Sequence, residues 1–138
     1  MVQRDIIKDE IEQLGKVLGK IISDFLNLKS TGKITQAIVL STKQLKGQLD
    51  LNIDKLLALS KKELKEYLFE KKIPFDHFEV LAEYLYEMGV CQTSTDEFIA
   101  KSYLKKSLEL LELMDDLSAT LSFDRMNRKS TITNLLRA

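Results

Sequence analysis

The sequence contains a single cysteine and a single histidine, and these two shortages exclude several kinds of chemistry. Cys91 has no partner for an internal disulfide, and one cysteine with one histidine cannot complete a structural zinc site. A catalytic triad would depend on His77, but Asp76 directly before it points away from it at a helix start. We therefore interpret His77 as a surface or boundary residue, and Cys91, in a loop without charge, as structural.

Motifs for phosphate, di-iron and membrane contact are missing as well. Neither GxGxxG, nor a P-loop, nor a Glu-x-x-His pair occurs. The longest uncharged stretch, residues 34–42, is about half as long as a membrane-spanning helix requires. Basic and acidic side chains are equal in number, at 21 each, so no overall field attracts nucleic acid or anionic lipid. We predict no catalytic residue, cofactor, metal or membrane contact and, because the start of the chain lacks a signal pattern, a cytoplasmic location.

The sequence is rich instead in leucine, lysine and glutamate, with one proline and five glycines. Apolar residues recur every three or four positions with charged residues between them, the pattern of amphipathic helices. The predicted helices cover about residues 3–28, 33–48, 53–57, 61–71, 75–88, 95–114 and 118–136. Pro74 interrupts the helical pattern, and no strand-like alternation of useful length occurs. We predict an all-α fold, a single domain over residues 1–138 that forms an antiparallel bundle of about six or seven helices.

Several helix ends carry sequence signals. Ser60 and Glu63, and again Ser94 and Glu97, have the spacing of a capping box, in which each side chain satisfies a backbone N–H group at a helix start. Gly89 suits the left-handed conformation that closes many helices, so we predict that it ends the fifth helix.

Gly15 and Gly19 share one face of the long first helix, whose apolar stripe begins at Ile7 and Ile11. Each glycine costs up to about 1 kcal/mol relative to alanine, so we predict that a second helix approaches closely there. This helix exceeds the fifth by roughly 17 Å, and part of its apolar stripe then lacks a cover within the chain. A homodimer through the first helix is the resulting hypothesis.

The fifth and sixth helices carry a pattern of small and apolar residues found in helical repeat proteins. Its members are Phe78, Leu81, Ala82, Leu85 and Gly89, followed by Ala100, Leu104, Ser107 and Leu108. This pattern resembles a tetratricopeptide repeat (TPR), and no second copy occurs at the offset of 34 residues that is typical of this family. The resemblance implies a TPR-like helix pair within residues 75–138, packed against N-terminal helices within residues 1–72. The opening helix, together with this half, also resembles small bacterial helical proteins of unknown role.

The most distinctive surface feature is an acidic run over residues 76–97, which holds six acidic residues and no lysine or arginine. Glu79, Glu83 and Glu87 follow one another at four-residue spacing, where like charges on a helix repel. The stripe is therefore either solvated or compensated by a partner. Within the chain, the basic face of the sixth helix, at Lys101 and Lys105, is the candidate.

Outside the chain, the candidate is a protein partner with a basic segment. In the TPR resemblance five residues face the concave groove, namely Asp76, Glu79, Glu83, Tyr86 and Glu87. Family members that clamp a C-terminal carboxylate use lysine and asparagine at such positions. The glutamates here therefore predict binding of a basic segment and not of a carboxylate.

Three functional classes follow from these features. The first is a non-enzymatic protein–protein interaction module of TPR-like type that is able to self-associate. The alternative is a regulatory protein that binds nucleic acid through a basic C-terminal helix, which carries Arg125, Arg128, Lys129 and Arg137. This segment has few cations and no interleaved aromatics, so we interpret it as a solvated helix end. The third class, a carboxylate enzyme, requires a cleft that gathers acids from different helices.

Overall fold

The computed structural model describes the backbone of residues 2–138 and the side chains of residue 10 and residues 12–138. In that part of the chain there are seven α-helices and no strand, which confirms the all-α prediction. The helices are α1 (Val2–Ser30), α2 (Ile34–Leu49), α3 (Ile53–Ala58), α4 (Lys61–Glu70), α5 (Phe78–Gln92), α6 (Glu97–Leu117) and α7 (Phe123–Arg137), with a 3-10 turn at Phe75–His77 before α5. None of the described helices combines the length of a bilayer span with a sufficiently apolar composition.

The start of α4 follows its sequence signal. The backbone N–H of Glu63 donates to Ser60 Oγ at 3.2 Å, and the backbone N–H of Ser60 donates to Glu63 Oε1 at 3.0 Å. These two bonds confirm the first capping box. Pro74 then precedes the 3-10 turn with a φ of −71°, which separates α4 from α5 as predicted.

The connection between α5 and α6 differs from the prediction in two ways. Gly89 does not end α5, because the helix continues to Gln92. The second capping box is also wrong, since Asp96 caps α6 by accepting a hydrogen bond from the N–H of Ile99 at 3.1 Å. The N–H of Asp96 donates to the Gln92 carbonyl, so Ser94 lies within the turn that closes α5.

Gly89 serves the packing of α5 against α6 instead of ending a helix. A Cβ atom added to it would lie 2.8 Å from Leu104 Cγ and 3.0 Å from the Ala100 carbonyl oxygen. About two helical turns further along the same seam, Ser107 Oγ donates to the Ala82 carbonyl at 2.6 Å. The contacts pair early residues of one helix with late residues of the other, so α5 and α6 form an antiparallel hairpin.

The face of α1 that carries Gly15 lies against the 3-10 turn. A Cβ atom on Gly15 would lie 2.6 Å from His77 Cε1, so this glycine makes room for an imidazole and not for the predicted second helix. A Cβ atom on Gly19 would meet nothing within 4 Å. His77 is half-buried, as expected of a boundary residue. Ile7 and Ile11 lie outside the described side chains, and the homodimer through α1 stays a prediction.

α5 lies in the core between α1 and α2 on one side and α6 on another. Phe25 of α1 and Tyr84 of α5 meet edge to face, with ring centroids 5.4 Å apart. The Tyr84 hydroxyl shares a buried hydrogen bond of 2.9 Å with Ser41 of α2. One connected cluster of buried side chains extends from Leu18 of α1 to Ile132 of α7. With α1 and α6 packed against it, α5 keeps one acidic side for contact with α7.

Candidate functional site: the α5 groove

The residues predicted to bind a partner follow one another at helical spacing along the 3-10 turn and α5. We call the surface that they form the α5 groove, and its members are Asp76, Glu79, Glu83, Tyr86 and Glu87. Asp76 is exposed, whereas the four residues on α5 are partly buried. The partial burial arises because helices α7 and α1 lie beside this side of α5.

Two glutamates of the α5 groove contact arginines of α7. Arg128 Nη2 donates to Glu83 Oε1 at 2.9 Å, and Arg125 Nη1 lies 3.7 Å from Glu79 Oε1. The arginines are three positions apart and the glutamates are four positions apart, so each pair spans about one helical turn. The like-charge repulsion along α5 is therefore offset by cations from α7.

The predicted pairing of this stripe with Lys101 and Lys105 is wrong. α6 turns small and apolar residues such as Ala100 and Leu104 toward α5, so its lysines lie on another side. Lys101 forms an ion pair with Glu97 of its own helix at 3.2 Å. Lys105 faces the connection between α3 and α4 across a separate cleft.

Arg125 is 5% exposed and is the most buried charged residue of α7. Its Nε donates to Asp115 Oδ1 at 3.0 Å, and its Nη2 donates to the Thr120 carbonyl at 2.8 Å. Lys129 binds the other carboxylate oxygen of Asp115. The interpretation of this segment as a solvated helix end is therefore wrong for Arg125, Arg128 and Lys129, because each of them contacts a carboxylate.

Tyr86 adds an aromatic contact to the ion pairs. The guanidinium carbon of Arg128 lies 3.9 Å from the centroid of the Tyr86 ring. A cation at this distance is attracted to the electron-rich face of the ring, and a planar guanidinium also stacks on it. Glu83 accepts a hydrogen bond from the same guanidinium. Arg128 therefore contacts a carboxylate and an aromatic ring of the α5 groove at the same time.

Asp115 anchors the first turns of α7 to α6. Partial burial raises the pKa of this carboxyl group, but hydrogen bonds from Lys129 and Arg125, with the charges of both, lower it further than burial raises it. The pKa of Asp115 therefore lies below its ordinary value. At neutral pH the carboxylate is ionised and holds Arg125 and Lys129 of α7.

A cleft of about 440 Å³ opens beside these contacts, between α1, α5, α6 and α7. Its lining comprises Ile22, Asp76, Glu79, Val80, Glu83, Leu111, Ser122, Asp124, Arg125 and Arg128. Three of the five predicted site residues thus line a concave surface, whereas Tyr86 and Glu87 lie outside the lining. The cleft gathers acids from α5 and α7, as the carboxylate-enzyme class requires, and it also holds the two arginines.

The far end of the groove is closed by α1. Lys29 forms an ion pair with Glu87, and both side chains are partly buried. Lys29 also lies near Cys91, but burial has the larger effect and raises the pKa of the thiol. The Cys91 Sγ–H donates to the Met88 carbonyl at 3.4 Å. Cys91 is therefore protonated at neutral pH, in agreement with a structural role.

The described side chains contain no group of three or more His, Cys, Asp or Glu residues that could hold a metal ion. Comparison of the chain with protein-family models, with curated proteins and with solved structures gives no significant match. The resemblance to TPR proteins and to bacterial helical proteins therefore stays a prediction. Function has to be inferred from the contacts of the α5 groove.

Proposed function

We propose that the protein is a non-enzymatic interaction module that binds a basic helical segment of a protein partner in the α5 groove. The observation that carries this proposal is the position of α7, whose Arg125 and Arg128 lie on Glu79 and Glu83. A helix with arginines one turn apart fits the groove. A segment of another protein with the same arginine spacing would make the same contacts in place of α7. The TPR-like character and the cytoplasmic location belong to the same proposal.

The α5 groove favours arginine over lysine. Tyr86 presents a ring face on which a planar guanidinium stacks, and Glu83 accepts a hydrogen bond from the edge of that guanidinium. A lysine ammonium would satisfy the carboxylate but would lose the planar stack. The expected partner is therefore an arginine-bearing helix and not any basic chain.

The same contacts favour binding over carboxylate catalysis. A glycosidase-like site needs one carboxylic acid that delivers a proton and a second carboxylate close to the reacting bond. Glu79 and Glu83 instead face arginines of α7. Neither carboxyl group is placed to deliver a proton to a ligand while α7 is docked.

Nucleic-acid binding is the second candidate, and the ion pairs weigh against it. Affinity for phosphates depends on cations whose charge is not already offset by the protein. Arg125, Arg128 and Lys129 each contact a carboxylate of α5 or α6. Binding to nucleic acid would require these pairs to break, whereas binding of a basic helix uses the acidic side of the same contacts.

A peptide titration tests the proposal. The probe is a synthetic helix-forming peptide with arginines at positions i and i+3 and an isoleucine at i+7, and the matched control has glutamine at both arginine positions. We expect the arginine peptide to change the backbone amide chemical shifts of the α5 groove and of α7, because a guanidinium must reach Glu83 and Tyr86. Equal binding of the two peptides, or shift changes confined to α3 and α4, would contradict the proposal.

A further inference from the structure

α7 differs from the other helices in how it is held. All of its residues are described, and it fully buries one apolar side chain, Ile132, together with the charged Arg125. Leu136 is partly buried against the core, whereas Phe123 and Met126 are 82% and 48% exposed. Polar contacts therefore supply much of the attachment of α7, and such contacts weaken when water and salt compete for them.

α7 also uses the groups that a partner would need. Arg128 contacts Glu83 and Tyr86 together, and Arg125 lies against Glu79. A second helix with the same contacts would overlap the volume of α7. Partner binding and docking of α7 on α5 are therefore mutually exclusive.

α7 contributes Ile132 to the core cluster, but the groove itself is carried by the α5–α6 hairpin. The seam between α5 and α6 is built from their own side chains, such as Leu81, Ala82 and Leu104. The connection from α6 to α7, residues 118–122, is short and mostly exposed. α7 can therefore leave the groove while the hairpin that forms the groove stays assembled.

We infer that α7 is an internal competitor for the α5 groove, and that the partner is a helix of the same pattern. That pattern is arginine at i and i+3 and an aliphatic residue at i+7, as in Arg125, Arg128 and Ile132. The inference rests on the proposed function and adds its regulation. A partner binds only those molecules in which α7 has left the groove. The apparent affinity is therefore the intrinsic affinity multiplied by the fraction of molecules with α7 undocked.

The test compares two substitutions in α7 of the full chain. The probe is a labelled peptide with the sequence of residues 120–138, and its affinity is measured by fluorescence anisotropy. Arg128→Ala removes the ion pair and the stack, so we expect the peptide to bind about tenfold more tightly than to the unsubstituted chain. Arg137→Ala removes the same charge from the last turn of α7, which lies beside α6, and leaves the affinity unchanged.

A substitution on the groove side sharpens the test. Glu83→Gln in the unsubstituted chain weakens docked α7 and bound peptide alike, so the apparent affinity changes little. In the Arg128→Ala background α7 no longer uses Glu83, and the same substitution is expected to lower the affinity of the peptide about fivefold. Glu66→Gln, at an exposed carboxylate of α4, is the matched control and has no effect in either background.

Each result has a defined meaning. Equal peptide affinity for the unsubstituted chain and for Arg128→Ala would overturn the inference, and the proposed function would stand only if the bound peptide still shifts the amide signals of Glu83 and Tyr86. No binding to either protein would overturn both. Arg128→Lys guards against a folding defect in the alanine variant, since it keeps the charge, loses the planar stack and is expected to give a smaller rise in affinity.

Discussion

The α5–α6 hairpin and α7 show two ways of attaching a helix to the same core. In the hairpin, Gly89 and Ala100 let the backbones approach, and large apolar side chains fill the remaining seam. α7 is attached through one fully buried apolar side chain, Ile132, and through the ion pairs of Arg125, Arg128 and Lys129. Close apolar packing tolerates little change of shape and is insensitive to salt, whereas partly exposed ion pairs form and break more readily. Stability therefore resides in the hairpin, and α7 is the helix that is able to exchange.

The largest expected difference between the two regions concerns a pair of phenylalanines. Phe78 at the start of α5 is fully buried, and Phe123 at the start of α7 is 82% exposed. Phe78→Ala should lower the free energy of unfolding by about 3–5 kcal/mol, because it removes buried apolar area and leaves a cavity. Phe123→Ala should change it by less than about 0.5 kcal/mol. Urea unfolding followed by circular dichroism measures both values.

A comparable loss from both substitutions would contradict the comparison, because it would mean that Phe123 is covered in solution. Sedimentation at several concentrations would then show whether a second copy supplies that cover. A small loss from Phe78→Ala would instead show that the hairpin core is able to collapse around the missing ring.

Smaller changes in the free energy of unfolding are expected for two glycines, and the two changes have opposite signs. Gly89→Ala places a methyl group 2.8 Å from Leu104 Cγ and 3.0 Å from a backbone oxygen, so overpacking should cost about 1–3 kcal/mol. Gly19→Ala on α1 meets open space and should stabilise the chain by up to about 1 kcal/mol, the difference in helix propensity. The urea midpoint of each variant, compared with that of the unsubstituted chain, shows whether the substitution stabilises or destabilises the fold.

The glycine pair also tests the homodimer through α1. If a second copy packs against Gly19, the alanine variant loses that contact, and its urea midpoint becomes less dependent on protein concentration than that of the unsubstituted chain. A stabilising effect of equal size at low and high concentration would count against the homodimer.

The hairpin could be predicted from the sequence because its signal is local. Phe78, Leu81 and Leu85 repeat at helical spacing, and the small residues Ala82 and Ser107 mark where two helices approach. The structure buries all five residues. The role of Gly89 could not be predicted, because glycine serves two purposes, a left-handed helix end and a close helix contact, and the neighbouring residues do not separate them.

The attachment of α7 could not be predicted in the same way. Arg128 and Glu83 are 45 positions apart, and no rule for residues close in sequence pairs them. The sequence shows the acidic stripe on α5 and the basic residues of α7, but it offers an external ligand, or Lys101 and Lys105, as their partners. The signal that pairs the two helices is their matching spacing, with Arg125 and Arg128 about one helical turn apart.

The smallest expected effect is a dependence of α7 docking on acid pH. The pKa of Asp115 is lowered in the folded chain, because Lys129 and Arg125 donate hydrogen bonds to its carboxylate. The stabilising contribution of such a group is complete above its unfolded pKa of about 3.9, and it is lost as the pH falls through the lowered folded value. α7 should therefore loosen below about pH 4, while the hairpin stays packed.

The docked fraction of α7 can be followed through the ring-current shift that Tyr86 imposes on the side-chain protons of Arg128. Acid should reduce this shift, and Asp115→Asn should already reduce it at neutral pH. The part of the pH dependence that disappears in Asp115→Asn is the share of Asp115 alone. If that substitution leaves the shift unchanged at every pH, Asp115 does not hold α7, and its attachment depends on α5 and Ile132.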